Sequence, residues 1–203
     1  MKPILFNGDM IQAILEGCKN ETRRPIIPQP VGGIVSKSEL GWRDTNGRPL
    51  RAPYRPGDVL YVRETWAEED GVIYYRANGY PVLRLHNEED IRWRPSIHMP
   101  KEYARIFLKV QFIGIQRLTQ IHEIMAENEG FIGHWHRDYA NGREYFVSAK
   151  DKFYEQWGAI YGKGPYSLQE DPLVWVIGFW YLSKICSYKE AELEERLGRG
   201  RNT

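Results

Sequence analysis

The sequence predicts an α+β fold, built as a small, mainly antiparallel β-barrel with flanking helices and long loop insertions. Short runs rich in β-branched and aromatic residues recur along the chain, which is typical of β-strands. Three or four segments with helical spacing of apolar residues lie between them. Strands and helices do not alternate regularly, so the pattern does not favour a parallel, doubly wound sheet.

The longest predicted strands cover residues 105–117 and 173–182. In the first, apolar residues alternate with polar ones such as Lys109 and Gln111, the period expected of a strand. The second is almost wholly apolar and follows the turn Asp171-Pro172, so we expect it to be the closing strand. Shorter strands are predicted at 4–6, 59–62, 72–77 and 82–85.

Two helices are predicted in the first two thirds of the chain. Asp9 is expected to cap the first helix, which Gly17 ends in the left-handed conformation. Thr119 is expected to cap the second, which covers 121–129 and ends at Gly130.

A third helix is predicted near the end of the chain. Ser148 and Asp151 form a capping-box pattern, and the apolar spacing continues to about Tyr161. The face buried by this helix is expected to contain Phe153, Trp157 and Ile160.

We expect one domain over residues 1–183, followed by a charged, frayed tail at 184–203. Residues 25–58 are rich in Pro and Gly, which predicts an irregular excursion with a hairpin turn at Asn46-Gly47. Because this excursion is long for a loop, it is either a functional lid or an insertion.

Composition restricts the class of protein. The chain has 203 residues, 42% hydrophobic and 27% charged, which is ordinary for a globular domain. Its two cysteines, Cys18 and Cys186, are too few for a disulfide framework or a four-thiolate zinc site. No apolar run reaches the roughly 18 residues of a membrane helix, and the first residues lack a signal-peptide pattern. We therefore expect a cytoplasmic protein with no membrane partner.

Charge is balanced overall but uneven along the chain. The 28 Lys and Arg against 27 Asp and Glu give a net charge of +1, whereas proteins that grip long duplexes usually carry a basic excess. Residues 1–63 hold ten Lys or Arg and six Asp or Glu, so a local basic surface is expected there. The seven Trp and thirteen Tyr either fill the core and loops or line a cleft that stacks nucleobases.

The segment Gly17-x-Lys19-x-x-Thr22-x-Arg24 is the main chemical motif. It lies where the first helix ends and a strand is expected to start. Alternation in an extended segment places Thr22 and Arg24 on one face, and Lys19 lies on the turn before them. The motif therefore predicts three hydrogen-bond donors that converge beside a helix end. A solvated polar turn is the alternative.

This segment fits the Gly-x-Lys-x-x-(Glu/Thr)-x-Arg signature of ASCH domains, members of the PUA-like superfamily. The chain as a whole resembles the larger ASCH-like proteins often found in bacteriophage genomes. The other segments that carry the resemblance follow in order between residues 2 and 183: Arg55–Trp66, Ser96–Pro100, Glu127–Phe131 and Trp175–Phe179. The resemblance implies a five- or six-stranded PUA-like barrel with a cleft lined by the signature, and residues 25–58 and 132–172 as insertions.

Two functions are associated with the ASCH family. One is binding of RNA or single-stranded nucleic acid. The other belongs to small bacterial ASCH proteins that are similar to acetylcytidine amidohydrolases, in which a Lys-x-x-Thr pair and a later Glu carry the chemistry. Lys19 and Thr22 match that pair, and Glu129 is the best match to the Glu, with Glu127 as a rival. The implied partner is a nucleoside-like small molecule or single-stranded RNA.

Amide hydrolysis needs a nucleophile, a proton shuttle and a group that stabilises the developing oxyanion. Thr22 is expected to be the nucleophile or to orient a water. Glu129, with its pKa raised by partial burial, is expected to act as base and then acid. Lys19 would stabilise the oxyanion or lower the effective pKa of Thr22, and Arg24 would hold a carbonyl, a phosphate or Glu129. The alternative is a catalytically silent ion pair of Lys19 and Glu129.

Three further residues are candidates for substrate binding. Trp66 and Trp93 are predicted to stack nucleobases because they are the aromatic residues nearest to the expected cleft loops. His98 either contacts the ligand or holds its own loop by a backbone hydrogen bond. His134 and His136 share a face in an extended segment, but no Cys or carboxylate cluster completes a zinc site. We therefore predict no metal and no cofactor.

Overall fold

The computed structural model describes residues 1–33, 35–38, 41–78, 91–139 and 142–182. They form a mixed α+β structure with mostly β-sheets and few helices, as predicted. The predicted strand at 82–85 and the predicted tail at 184–203 lie outside the described residues. Within the described ranges, no helix combines the length and the apolar character needed to cross a bilayer.

The strands of the largest sheet are β1 (Lys2–Leu5), β2 (Glu21–Pro25), β6 (Val59–Arg63), β9 (Phe107–Arg117) and β12 (Leu173–Leu182). Smaller sheets contain β3 (Val35–Ser38), β4 (Gly41–Asp44) and β5 (Pro49–Leu50), then β7 (Trp66–Glu69) with β8 (Val72–Tyr75), and β10 (His134–Arg137) with β11 (Glu144–Val147). The helices are α1 (Gly8–Leu15), α2 (Glu123–Asn128) and α3 (Ala149–Tyr161). The two long predicted strands, β9 and β12, are confirmed.

The described residues cluster into two compact units. The first contains the described residues of 1–17, 57–110 and 179–203. In it, β1 pairs in parallel with β6, and β6 pairs antiparallel with β9, with Leu60 opposite Leu108. Both of these leucines are fully buried, as are Ile11 and Ile14 on the apolar face of α1.

The second unit contains the described residues of 18–56 and 111–178 and holds the motif. Its strand order is β9-β12-β2, and β12 pairs antiparallel with β2. The buried residues Leu118, Ile121, Phe153 and Trp157 form one apolar cluster that joins α2 and α3 to the sheet. Through Ala126 this cluster packs α2 against the rest of the unit.

The described strands leave β1 and β2 each with a single neighbour in the largest sheet. Among the pairings of the described residues, none closes this sheet into a barrel. Strands β1 and β6 pair in parallel. The other strand pairs whose residue-by-residue register is known among the described residues are antiparallel.

The first two helices begin at different residues from those predicted. The cap of α1 is Asn7, whose side chain accepts a hydrogen bond from the Met10 amide at 2.9 Å, and Asp9 lies in the first turn. The cap of α2 is His122. Thr119 belongs to a preceding 3-10 turn, where its amide donates to Asp171 Oδ1 at 2.9 Å.

The third helix has the predicted capping box and the predicted bounds. Ser148 Oγ accepts from the Asp151 amide at 3.0 Å. Phe153 and Trp157 are buried as expected, but Ile160 is 54% exposed. The residue that continues the packed face is Tyr161, four residues after Trp157, with ring centroids 4.7 Å apart.

Residues 25–58 are more ordered than the predicted irregular excursion. They contain β3, β4 and β5, with Trp42 opposite Leu50. The predicted turn at Asn46-Gly47 is confirmed, because Gly47 has φ +76° and its amide donates to Asp44 O at 3.0 Å. High Pro and Gly content signalled turns correctly but hid the short strands between them.

Candidate functional site

The end of α2 lies alongside the start of β2. Lys19 and Glu129 face each other in an isolated antiparallel β-bridge, and the Asn20 amide donates to Asn128 O at 2.9 Å. Glu129 is the C-terminal cap of α2, and Gly130 follows with φ +92°, a conformation that glycine adopts without strain. Main-chain contacts therefore bring two residues together that are 110 positions apart.

Lys19 and Glu129 form a buried ion pair. The distance from Lys19 Nζ to Glu129 Oε2 is 2.7 Å, and the two side chains are 0% and 2% exposed. The same ammonium donates to the main-chain oxygens of Glu129 at 2.7 Å and of Glu21 at 2.8 Å. These three acceptors match the three N–H bonds of a protonated lysine.

Arg23 completes this group and was missed by the sequence analysis. Arg23 Nη1 donates to Glu129 Oε1 at 3.2 Å, and Nη2 donates to Glu21 Oε2 at 3.3 Å. With the Gln116 amide oriented to satisfy both groups, its oxygen accepts from Arg23 Nε at 2.8 Å. Lys19, Glu21, Arg23 and Glu129 are called the ion cluster below.

Strand alternation explains why Arg23, and not Arg24, reaches Glu129. The chain is extended from about Lys19, so residues 19, 21 and 23 lie on one face and residues 22 and 24 on the other. We expected Arg24 to hold Glu129. Its Nη1 donates instead to Arg23 O at 3.2 Å, although its charge still acts on Glu129.

Thr22 lies on the face of β2 opposite to the ion cluster. Its cross-strand partner is Ile177 in β12, and the side chain is fully buried. Its hydroxyl makes no hydrogen bond within the described part of the chain. Leaving a buried hydroxyl unpaired costs roughly 1–3 kcal/mol, so this atom is a costly feature of the fold.

The pKa of Glu129 is lowered, opposite to our expectation. Burial alone would raise it, but the positive charges of Lys19 and Arg23 and the hydrogen bond from Lys19 together outweigh burial. The pKa of Lys19 is lowered as well, because burial outweighs the attraction of Glu129. Glu129 is therefore held as a carboxylate and is a weaker base than predicted.

Glu129 and its rival Glu127 differ in burial and in contacts. Glu127 is exposed on α2, whereas Glu129 is buried and touches Lys19. The two residues are separated by two positions at a helix end, so their side chains leave the backbone in different directions.

The three other predicted ligand residues belong to the first unit. Trp66 is 2% exposed, with its ring centroid 5.0 Å from that of Tyr103 and 4.7 Å from the guanidinium carbon of Arg94. A ring packed in this way offers no open face to a base. Trp93 is half-buried beside Arg76, and His98 is an exposed residue whose amide donates to Pro95 O at 3.0 Å.

Several exposed aromatic residues of the second unit lie together on β10 and β11, called the aromatic hairpin. Trp135 and Phe146 are directly opposite each other, with ring centroids 5.6 Å apart, and are 71% and 51% exposed. His134 and His136 share the other face, as predicted for an extended segment, at 6.4 Å between ring centroids. Throughout the described ranges, no group of three or more His, Cys, Asp or Glu is placed to hold a metal ion.

The ion cluster holds a carboxylate, an amine with a lowered pKa and a guanidinium in one water-poor place, which are the groups that move protons or stabilise charge during acyl transfer. It can equally fix the end of α2 to β2. Comparison of the chain with protein-family models, curated proteins and solved structures finds no match.

Proposed function

We propose that this chain is an ASCH-like cytoplasmic protein with a PUA-like barrel, which recognises a nucleoside and hydrolyses the amide of an N-acylated cytidine-type substrate. The observation that supports this function is the 2.7 Å contact between Lys19 Nζ and Glu129 Oε2. The buried, unpaired hydroxyl of Thr22 lies three residues along the chain from Lys19. These are the three residues that the resemblance assigns to the reaction.

Each residue has a defined task in this reaction. Thr22 Oγ1, or a water that it orients, attacks the acyl carbonyl carbon and gives up its proton. Glu129 is ionised and can accept that proton once the start of β2 rearranges, because Thr22 lies on the face of this strand opposite to Glu129. Lys19, with its lowered pKa, is a second carrier. The proton then passes to the amine of the cytosine as the C–N bond breaks. When Thr22 Oγ1 is the nucleophile, the acyl group remains on Thr22 as an ester, and a water hydrolyses this ester to release the carboxylic acid. When water attacks directly, the acid is released as the C–N bond breaks.

Access decides whether the cluster is catalytic. Lys19, Thr22 and Glu129 are each at most 2% exposed. All three donors of the Lys19 ammonium are already used. Hydrolysis therefore requires a local opening that exposes Thr22, brings its hydroxyl to the side of β2 that carries Lys19, and releases one Lys19 hydrogen bond to the oxyanion. A silent ion pair requires neither.

The test is release of cytidine from N4-acetylcytidine by the purified full chain. Lys19→Ala and Glu129→Gln are expected to abolish release, whereas Glu127→Gln, an exposed carboxylate two residues from Glu129, should leave it unchanged. Circular dichroism checks that each variant is folded. Absence of release by wild-type protein at high concentration contradicts the enzymatic function and leaves the cluster a structural one.

A second candidate function is favoured by the aromatic hairpin. Non-catalytic binders of RNA or single-stranded nucleic acid use exposed rings as stacking platforms, worth about 1–3 kcal/mol per base. Trp135 and Phe146 offer such rings, and Arg137, on the same strand, is 62% exposed at its side chain. In this alternative the chain binds single-stranded RNA and performs no chemistry.

Binding of a short, fluorescently labelled single-stranded RNA tests this alternative. Trp135→Ala should weaken binding about tenfold or more, as expected for the loss of one stacked base. Trp180→Ala is the matched control, because Trp180 is similarly exposed but belongs to β12. Affinity should also fall as salt rises. Equal effects of the two variants would exclude the hairpin as the platform.

A further inference from the structure

A cavity of about 440 Å³ in the second unit lies apart from the ion cluster. Its lining includes Trp175 and Ile26, together with residues of the turn between β4 and β5. Trp175 is directly opposite Arg24, so both lie on the face of β2 and β12 that faces away from the ion cluster. This space is called the Trp175 cavity below.

The apolar walls of the Trp175 cavity are rigid. Pro28, Pro30 and Pro49 line it, and their rings have fixed backbone geometry. The strand exit that carries Pro28 is held by Gln29, whose Nε2 donates to Leu173 O at 3.0 Å and whose Oε1 accepts from the Leu173 amide at 2.8 Å. A preformed, proline-lined wall of this kind suits contact with a planar ring.

Two arginines give the cavity a positive rim. Arg48 and Arg51 both line it and are exposed. Within the described part of the chain, neither guanidinium makes a hydrogen bond or an ion pair. Guanidinium groups without a protein partner at the rim of a cavity are suited to a phosphate, which they can bind through paired N–H donors.

A buried carboxylate adds a third kind of contact. Asp44 lines the cavity and is 4% exposed. Its Oδ1 is fixed by hydrogen bonds from the amides of Asn46 at 3.0 Å and Arg48 at 2.9 Å. Asp44 forms no ion pair with any residue that the structure describes. A carboxylate in this position accepts hydrogen bonds from an amino group and repels a carbonyl oxygen.

We infer that the Trp175 cavity binds a nucleotide whose base carries an exocyclic amino group. The base lies against the proline-lined wall of the Trp175 cavity, and its amino group donates to Asp44. The phosphate of the nucleotide contacts Arg48 and Arg51. The ligand is either a free nucleotide or the phosphorylated end of a strand, since both present the same chemistry. The inference concerns binding alone and does not depend on the hydrolytic reaction.

Calorimetric titration of the full chain with CMP, UMP and cytidine tests each contact separately. CMP should bind about tenfold more tightly than UMP, which replaces the amino group by a carbonyl, and about tenfold more tightly than cytidine, which lacks the phosphate. A 5′-phosphorylated oligonucleotide beginning with cytosine distinguishes a free nucleotide from a strand end as the ligand. Binding as tight as that of CMP indicates a strand end, and binding of CMP alone indicates a free nucleotide.

Variants assign the effects to residues. Arg48→Gln with Arg51→Gln should weaken CMP about tenfold and leave cytidine unchanged. Asp44→Asn keeps Oδ1 for the turn and should reverse the preference between CMP and UMP. Lys37→Gln, a basic residue of β3 that is not in the lining, is the control. No measurable binding of CMP, nor of AMP or GMP, which also carry an exocyclic amino group, overturns the inference. Nucleotide binding that the arginine double variant leaves unchanged in a folded protein overturns it as well.

Discussion

Lys19 Nζ lies 2.7 Å from Glu129 Oε2, and the same ammonium also caps the main-chain oxygen of Glu129 at 2.7 Å. One side chain therefore neutralises both the carboxylate and the negative end of α2. Because both partners are buried, removing Glu129 leaves the Lys19 ammonium without its partner charge. Removing Lys19 leaves Glu129 with only the longer contact to Arg23 and leaves the end of α2 without its ammonium donor. The same two residues therefore hold the end of α2 in place and supply the groups of the candidate site.

Breaking this pair should destabilise the chain strongly. We expect Lys19→Met and Glu129→Leu each to reduce the free energy of unfolding by about 3–5 kcal/mol, the range for a broken buried pair. The double variant should cost clearly less than the sum, because no unpaired charge is left from this pair. Urea unfolding of the four proteins measures the coupling. Strictly additive losses contradict the ion pair as described.

The residues of this pair show how far the sequence could lead. The motif and the family resemblance identified Lys19 and Glu129, but Arg23 was overlooked in favour of Arg24. The extended segment begins near Lys19, and that starting point decides which arginine faces Glu129. Strand starts are set by partners such as β12 and α2 that are distant in sequence, so no local pattern fixes them.

Partners distant in sequence also explain the other differences. Trp66, the last residue of the segment Arg55–Trp66, was predicted to lie near the cleft loops, but Tyr103 and Arg94 cover its ring. The pKa of Glu129 is lowered by the charge of Lys19 and then by that of Arg23, and Arg23 was not expected there. By contrast, the capping box of α3 and the turn at Gly47 depend on neighbours in sequence, and both were predicted.

Stability should depend on pH through Glu129. Its folded-state pKa is lowered, so the unfolded chain binds more protons in the acid range. The stabilisation is complete above the ordinary glutamate pKa of about 4.3 and is lost as pH falls through the lowered folded-state value. Wild-type protein should therefore lose stability on acidification more steeply than Glu129→Gln.

Urea unfolding between neutral and acid pH measures this difference. Glu127→Gln, which removes an exposed carboxylate, serves as the control and should follow the wild-type profile. If the Glu129→Gln profile runs parallel to wild type down to the lowest pH at which both fold, the carboxylate does not have a lowered pKa.

Replacing Thr22, whose hydroxyl is unpaired, should affect stability and hydrolysis in different ways. Thr22→Val keeps the shape and removes the buried, unpartnered oxygen, so it should be neutral or stabilise by about 1–3 kcal/mol. If Thr22 acts in hydrolysis, the same variant loses turnover. Thermal unfolding and the N4-acetylcytidine assay read the two effects. A clear loss of stability instead means that the hydroxyl has a bound partner, such as a water.

The first unit contains two Arg–Glu ion pairs that differ mainly in how deeply they are buried. Arg105 donates from Nε and Nη2 to the two oxygens of Glu64 at 2.8 and 2.7 Å, and Glu64 is 1% exposed. Arg94 Nη1 and Glu68 Oε2 are 3.7 Å apart, and the two side chains are 47% and 35% exposed. A buried bidentate arginine–carboxylate contact is stronger and less screened by salt than a single contact at the surface.

We therefore expect Glu64→Gln to lower the free energy of unfolding by about 3 kcal/mol or more, because the guanidinium of Arg105 is then left without its partner charge. Glu68→Gln should cost less than about 1 kcal/mol, and high salt should remove that small effect. Arg105→Lys separates geometry from charge, since lysine keeps the charge but cannot form the two-point contact. It should be nearly as damaging as Glu64→Gln. A harmless Arg105→Lys would show that charge alone, and not the paired geometry, holds Glu64 in the interior.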